Sequence, residues 1–126
     1  TPYLISLGLE AVGNLANDEG NRARLGASDA VSLSLSLMIS HFEAVPVIQL
    51  GSRAIAKLAI GEDNQVLLKE ASVSDILVKV MEKHYDIEAV SDQTLRAVYE
   101  LAKHSAANRT SLWEAGACEA IVSCIR

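Results

Sequence analysis

The sequence predicts an all-α chain folded as a helical solenoid, and three observations carry that prediction. A seven-residue pattern occurs three times, as Glu10-Ala11-Val12-Gly13-Asn14-Leu15-Ala16, Arg53-Ala54-Ile55-Ala56-Lys57-Leu58-Ala59 and Arg96-Ala97-Val98-Tyr99-Glu100-Leu101-Ala102, with successive copies 43 residues apart. Downstream of each stands an Asn followed four residues later by Leu: Asn21 and Leu25, Asn64 and Leu68, Asn108 and Leu112. Half the residues are apolar but only 4 % are aromatic, so the core must be assembled from small and aliphatic side chains that let helices approach closely. Self-similarity at a period in the forties is the signature of stacked helical units, each burying its apolar face only against its neighbours.

Within one period the residues predict three helices. The chain opens on a long one, Pro2 to about Asn17, with Val12 and Leu15 as its buried stripe; Ile55 with Leu58 and Val98 with Leu101 hold the same places later. A short helix follows each long one and is predicted to start on Asn21, Asn64 or Asn108, since an Asn side chain caps a helix by accepting a backbone N–H bond. Breaks at Asp29-Ala30, Ser72-Val73 and Gly116-Ala117 lead into a second helix. Its apolar pairs are Leu33 and Leu37 with Met38, Ile76 and Leu77 with Val80 and Met81, and Ile121 with Cys124 and Ile125. Loops at Ser40 to Pro46 and Tyr85 to Glu88 return the chain to the next long helix. One segment carries a competing signal, because Val31, Leu33, Leu35 and Leu37 alternate with polar or serine positions as in a half-buried strand. The equivalent segment Ile76 to Met81 has helical spacing, and equivalent positions in a repeat share a conformation, so a helix is predicted there too.

The combined pattern, Asn-x-x-x-Leu with Gly-Ala downstream, two apolar pairs and then Ala-x-x-Asn-Leu-Ala, resembles the armadillo repeat. Arg109 and the run Leu112-Trp113-Glu114-Ala115-Gly116-Ala117 match it best, and the resemblance covers essentially the whole chain. It implies a right-handed α-solenoid, a superhelix of triangular three-helix units whose third helices line a concave groove. On this reading residues 1–17 are a third helix, 21–61 and 64–105 are full repeats, and 108–126 are a first and second helix. That makes about three repeat equivalents, out of phase at both ends. The ends then read as cut surfaces of a longer array, with Leu9 and Val12 at one and Ile121 and Ile125 at the other left uncapped. The terminal helices lack the kind of third helix that the amino terminus supplies, so head-to-tail self-association of chains is a further expectation.

Charge and chemistry narrow the function classes. A formal charge of -5 and a pI near 5.1 argue against a nucleic-acid ligand, which needs clustered Lys and Arg to displace counterions. Cys118 and Cys124 stand six apart within one helix, on roughly opposed faces, so no disulfide is expected and both read as small buried residues. Neither has a second ligand at metal-binding spacing. His41 and His84 fall at the ends of second helices, where a cation suits the helix dipole, and with His104 they form no catalytic constellation. No enzyme activity, metal or cofactor is therefore predicted. The most apolar run, Ala30 to Ile39, is about half the ~20 residues a membrane helix needs. An intracellular setting, cytoplasmic or nuclear, is favoured. Asn108-Arg109-Thr110 has the form of a glycosylation acceptor but reads better as a helix cap. Trp113 is expected to pack between repeats.

If third helices face a groove, positions four apart share its face. That selects Glu10 with Asn14, Arg53 with Lys57 and Arg96 with Glu100, with Tyr99 at the edge as an amphipathic anchor. In armadillo proteins that hold extended peptides the resemblance implies Trp and Asn at these places, and only Asn14 matches. Lys57 can only donate and ionised Glu100 can only accept, so recognition by charge is predicted. Two readings stand open. Stacked third helices place Glu10 beside Arg53 and Lys57 beside Glu100 as a ladder of exposed ion pairs, each contributing about 0–1 kcal/mol. Alternatively Arg53, Lys57 and Arg96 form a basic spot for an acidic or phosphorylated protein segment. The predicted role is a protein-interaction scaffold; the alternatives are a regulatory segment of a larger multidomain enzyme or signalling protein, or an architectural array assembling through its ends.

Overall fold

Three residues at equivalent places in the period, Asp29 (φ 64°), Ser72 (φ 61°) and Gly116 (φ 91°), adopt left-handed backbone. Glycine enters that region without steric penalty, and a small polar side chain tolerates it at single positions. Each such residue breaks the chain at the point where the sequence predicts the second helix to begin. The computed structural model describes residues 1–126 and is entirely helical, with nine helices and no strand. They are α1 (Pro2–Leu15), α2 (Glu19–Ala27), α3 (Ala30–Ser40), α4 (Val45–Leu58), α5 (Glu62–Glu70), α6 (Val73–His84), α7 (Glu88–His104), α8 (Ala106–Ala115) and α9 (Ala117–Ile125). Pro2 and Pro46 sit in the first turns of α1 and α4, where a missing N–H removes no helical hydrogen bond.

Each of the helices α1 to α6 lies against the one three places further along the chain. Thus α1, α4 and α7 pack in one row, α2, α5 and α8 in a second, and α3, α6 and α9 in a third. The core runs between the rows and is built from Leu35, Met38, Ile48, Ile55, Leu58, Leu68, Leu77, Met81 and Leu101, with alanines where backbones come closest. Gly51 makes room for a core side chain: a Cβ placed there would lie 2.5 Å from Met38 Cγ.

The segment with the strand-like alternation is the helix α3. Its buried residues are Ala30, Val31, Ser34, Leu35 and Met38, the spacing of one helical face, whereas Leu33 is 57 % exposed. The helix is as predicted but its core face is not, since Leu33 and Leu37 were expected to point inward and Leu37 is only half-buried.

The short helices start earlier than the Asn residues suggest. Their N-caps are Asp18, Gly61 and Ser105, and Asn21, Asn64 and Asn108 lie in the first turn. Asn64 and Asn108 are buried, and their amide nitrogens donate to main-chain carbonyls of neighbouring helices rather than serving their own helix start, while Asn108 Oδ1 has no partner. The end positions also differ from expectation. Leu9 is buried, because it faces α4, while Leu15 is half-exposed on the side of α1 that no helix covers. Ile125 is exposed and Val12, Ile121 and Cys124 are half-buried. No helix is long and apolar enough to cross a membrane.

Candidate functional site

The seven predicted binding residues all lie on the row made by α1, α4 and α7, at exposed or half-buried positions. Their pairing departs from both charge patterns offered by the sequence. Arg53 reaches from α4 to α1, where Nη2 donates to Asn14 Oδ1 at 2.7 Å and Nη1 to the main-chain oxygen of Glu10 at 3.5 Å. Gly13 makes the room, since a Cβ there would stand 2.6 Å from Arg53 Nη1. The Glu10 carboxylate takes no part. Arg96 Nε donates to Asp92 Oδ1 at 3.1 Å, and His104 Nε2 lies 3.6 Å from Glu100 Oε2. No ion-pair ladder between helices forms. Residues one turn apart on α7 are held within reach of each other by their own helix, so these local pairs win over partners on α4. Lys57 is left with no ion-pair or hydrogen-bond partner. Tyr99 is 59 % exposed, with Lys103 Nζ 5.5 Å from its ring centroid, a cation–π contact.

Two clefts open along this row. The one between α4 and α7 has a volume of about 450 Å³ and gathers Lys57, Arg96, Tyr99 and Glu100 with Ala56, Ile60, Asp92 and Leu95. The other, about 410 Å³, lies between α1 and α4; Glu10 is its charged residue, and Tyr3, Leu7 and Leu50 supply apolar walls. The Arg53–Asn14 bridge belongs to neither lining. Four of the seven predicted residues are therefore brought together, and Glu10, Asn14 and Arg53 stand apart from them. The α4/α7 cleft holds two cations and two carboxylates over an apolar floor, a lining suited to a partner that offers both apolar contact and charge. Asp92, Ile60 and Leu95 were missed by sequence reasoning. Asp92 was detectable as the acid one turn before Arg96; Ile60 and Leu95 carry no local signal.

Elsewhere the side chains correct several expectations. Trp113 is 72 % exposed, because Leu112 beside it occupies the buried place on α8. Cys118 is exposed and Cys124 half-buried, and both are free thiols. His84 is buried, its Nε2 2.9 Å from the Phe42 carbonyl oxygen and its ring 5.5 Å from the Phe42 ring, so it joins α6 to the end of α3. Asn108 is 1 % exposed, out of reach of a modifying enzyme. No group of three His, Cys, Asp or Glu side chains is placed to hold a metal ion. Comparison with protein-family models, curated proteins and solved structures gives no match to this chain.

Proposed function

We propose that this chain is an armadillo-type α-solenoid that serves as a protein-interaction scaffold, holding an extended partner segment along the face shared by α1, α4 and α7. Three sequence periods, three left-handed breaks and the stacking of each helix on the one three places earlier support the architecture. The observation that carries the binding role is Lys57, a cation without a partner at the wall of the 450 Å³ cleft that also presents exposed Tyr99. An acidic or phosphorylated side chain of the partner meets Lys57, an apolar neighbour covers Ile60 and Leu95, and Tyr99 closes the edge. Arg96 adds a second cation to a phosphoryl group when it turns from Asp92, an exposed pair that holds it only weakly.

Fluorescence anisotropy tests this with short extended peptides that differ only in a central Ala, Glu, phosphoserine or Lys. Glu and phosphoserine peptides are expected to bind more tightly than Ala, the Lys peptide more weakly, and the preference to shrink as salt rises. Lys57→Glu should reverse the order. Equal binding of all four peptides, or an order unchanged by Lys57→Glu, would remove the charged cleft as the binding site.

A further inference from the structure

The row made by α3, α6 and α9 carries a cleft that shares no residue with those on the long helices. It opens between α3 and α6, has a volume of about 450 Å³ and is lined by Ile39, Phe42, Ile76, Lys79, Glu82 and Lys83. That volume falls within the range of ligand pockets, about 300–1,000 Å³. Its apolar surface is open on one side and fixed on the other. Ile39 is 59 % exposed and Ile76 is buried. Phe42, in the turn after α3, is held by His84, whose Nε2 lies 2.9 Å from the Phe42 carbonyl oxygen and whose ring stands 5.5 Å from the Phe42 ring. The wall is thereby in place before anything enters.

The opening belongs to the row and not to its ends. Ile39 corresponds one period later to Glu82, which is exposed although α6 has a helix of its row on either side, α3 and α9. Another repeat stacked before α3 or after α9 would leave the space between α3 and α6 open. A large apolar residue therefore stands at a position that this row leaves to solvent, where the next repeat has a carboxylate. Charge is uneven here too. Lys79 and Lys83 correspond to Ser36 and Ser40 one period earlier, and Lys79 to Ser123 one period later. Lys79 forms no ion pair. Lys83 lies 3.7 Å from Glu43, and both side chains are more than half exposed, so the pair holds it only weakly. Within an acidic chain, the cleft has two ammonium groups and Glu82 as its single carboxylate.

We infer that the α3/α6 cleft docks a segment of a partner protein that presents a large apolar side chain between acidic residues. The apolar side chain lies against Ile39, Phe42 and Ile76, and its flanking carboxylates meet Lys79 and Lys83. Charge complementarity selects this occupant, because the excess of cations sits beside the apolar surface and half of it is unpaired. A flat anionic membrane is the poorer fit, since its headgroups cannot enter a concavity and would meet Glu82 and Glu43. The site is independent of the α4/α7 cleft, so the chain can hold two segments at once.

The probe is an acidic peptide with a central Leu-Phe pair, compared with the same peptide carrying Ser-Ser at its centre and with one whose Asp and Glu residues are replaced by Asn and Gln. Titrated into isotope-labelled protein and read by NMR, the first peptide is expected to shift the amide resonances of Ile39, Phe42, Lys79 and Lys83. Each altered peptide should bind at least about tenfold more weakly. Ile39→Asp should weaken binding of the first peptide at least about tenfold and Lys79→Glu about fivefold, while Lys57→Glu leaves it within about twofold. Ile39 and Lys79 are exposed, so both variants keep the fold, which circular dichroism checks. Shifts confined to Lys57, Arg96 and Tyr99 would place the peptide in the other cleft and overturn the inference. Equal binding of the three peptides, affinity unchanged by Ile39→Asp, or co-sedimentation with phosphatidylserine vesicles without peptide binding would overturn it as well.

Discussion

The side-chain amide of Asn64 donates to two main-chain carbonyls at once, that of Arg22 in α2 and that of Leu58 in α4, each at 3.1 Å. One side chain on α5 therefore ties three helices together. The residue after each repeat Asn adds a second tie. Arg22 Nη1 donates to the Ala16 carbonyl at 2.9 Å, Gln65 Nε2 to that of Ala59 at 2.8 Å, and Arg109 Nη1 to that of Ala102 at 2.7 Å. Carbonyls in the last turn of a helix lack intrahelical donors, and here the short helix that follows supplies them. Gly26 belongs to the same device, since a Cβ there would collide with the Asn64 amide.

Asn64→Ala should therefore be among the most destabilising single substitutions in the chain. It removes two side-chain hydrogen bonds at a buried junction, where the Leu58 carbonyl keeps only its bond from the Gly61 N–H, at a cost of about 1–3 kcal/mol. Asn21→Ala, whose only side-chain bond is to its own first turn, should change stability by less than about 0.5 kcal/mol in the monomer. Urea denaturation followed by circular dichroism measures both, and equal effects would show that the amide does not hold the neighbouring helix.

Helix α3 offers a test of which face is buried. Leu35→Ala and Met38→Ala remove fully buried side chains and should each cost about 2–5 kcal/mol, while Leu33→Ala should cost well under 1 kcal/mol. A strand would place Leu33 and Leu35 on one face and make their losses alike.

Two glycines one period apart should respond in opposite directions. Gly8→Ala adds a methyl group to open space in a helix and should raise monomer stability by about 0.5–1 kcal/mol. Gly51→Ala drives a methyl group into Met38 and should lower stability by about 1–3 kcal/mol, moderated by the flexibility of the Met side chain. Thermal melts of the two variants against the wild type compare them.

Charge reversal at Lys57 should separate binding from folding. Lys57 has no partner to lose, so Lys57→Glu should leave stability within about 0.5 kcal/mol of wild type while reversing the peptide preference. Arg53→Ala also breaks exposed bonds only, those to Asn14 and the Glu10 main chain, and should cost no more than about 1 kcal/mol. A large loss of stability in Lys57→Glu would mean that the cleft is held closed by a contact to the ammonium group.

The sites that sequence reasoning placed well are those whose cause is local. Asp29, Ser72 and Gly116 mark breaks because left-handed backbone is a property of one residue and its own turn. The long helices follow from spacing along one stretch of chain. Sequence was less informative where the same residue type serves two ends. An Asn near a helix start can cap it or reach across to another helix, and the choice depends on which carbonyl lies opposite. Arg53 has an acid in the equivalent place one period back, Glu10, yet its guanidinium settles on Asn14. Leu112 and Trp113 are both apolar neighbours on α8, and only packing decides that the first is buried and the second exposed.

By itself, then, the sequence determined an all-helical chain, its three periods, the positions of its breaks and the row of charged residues on the long helices, because each of these is written in spacing within a few turns. Tertiary structure alone decided that the repeat Asn residues stitch rather than cap, that Arg53 reaches across to Asn14 while Lys57 stands unpaired, and that Leu112 is buried where Trp113 is exposed. The bonds concerned reach 39 residues along the chain from Arg53 to Asn14, 42 from Asn64 to Arg22 and 43 from Asn108 to Gln65. Only the packing of one helix on another brings such a partner within hydrogen-bonding distance.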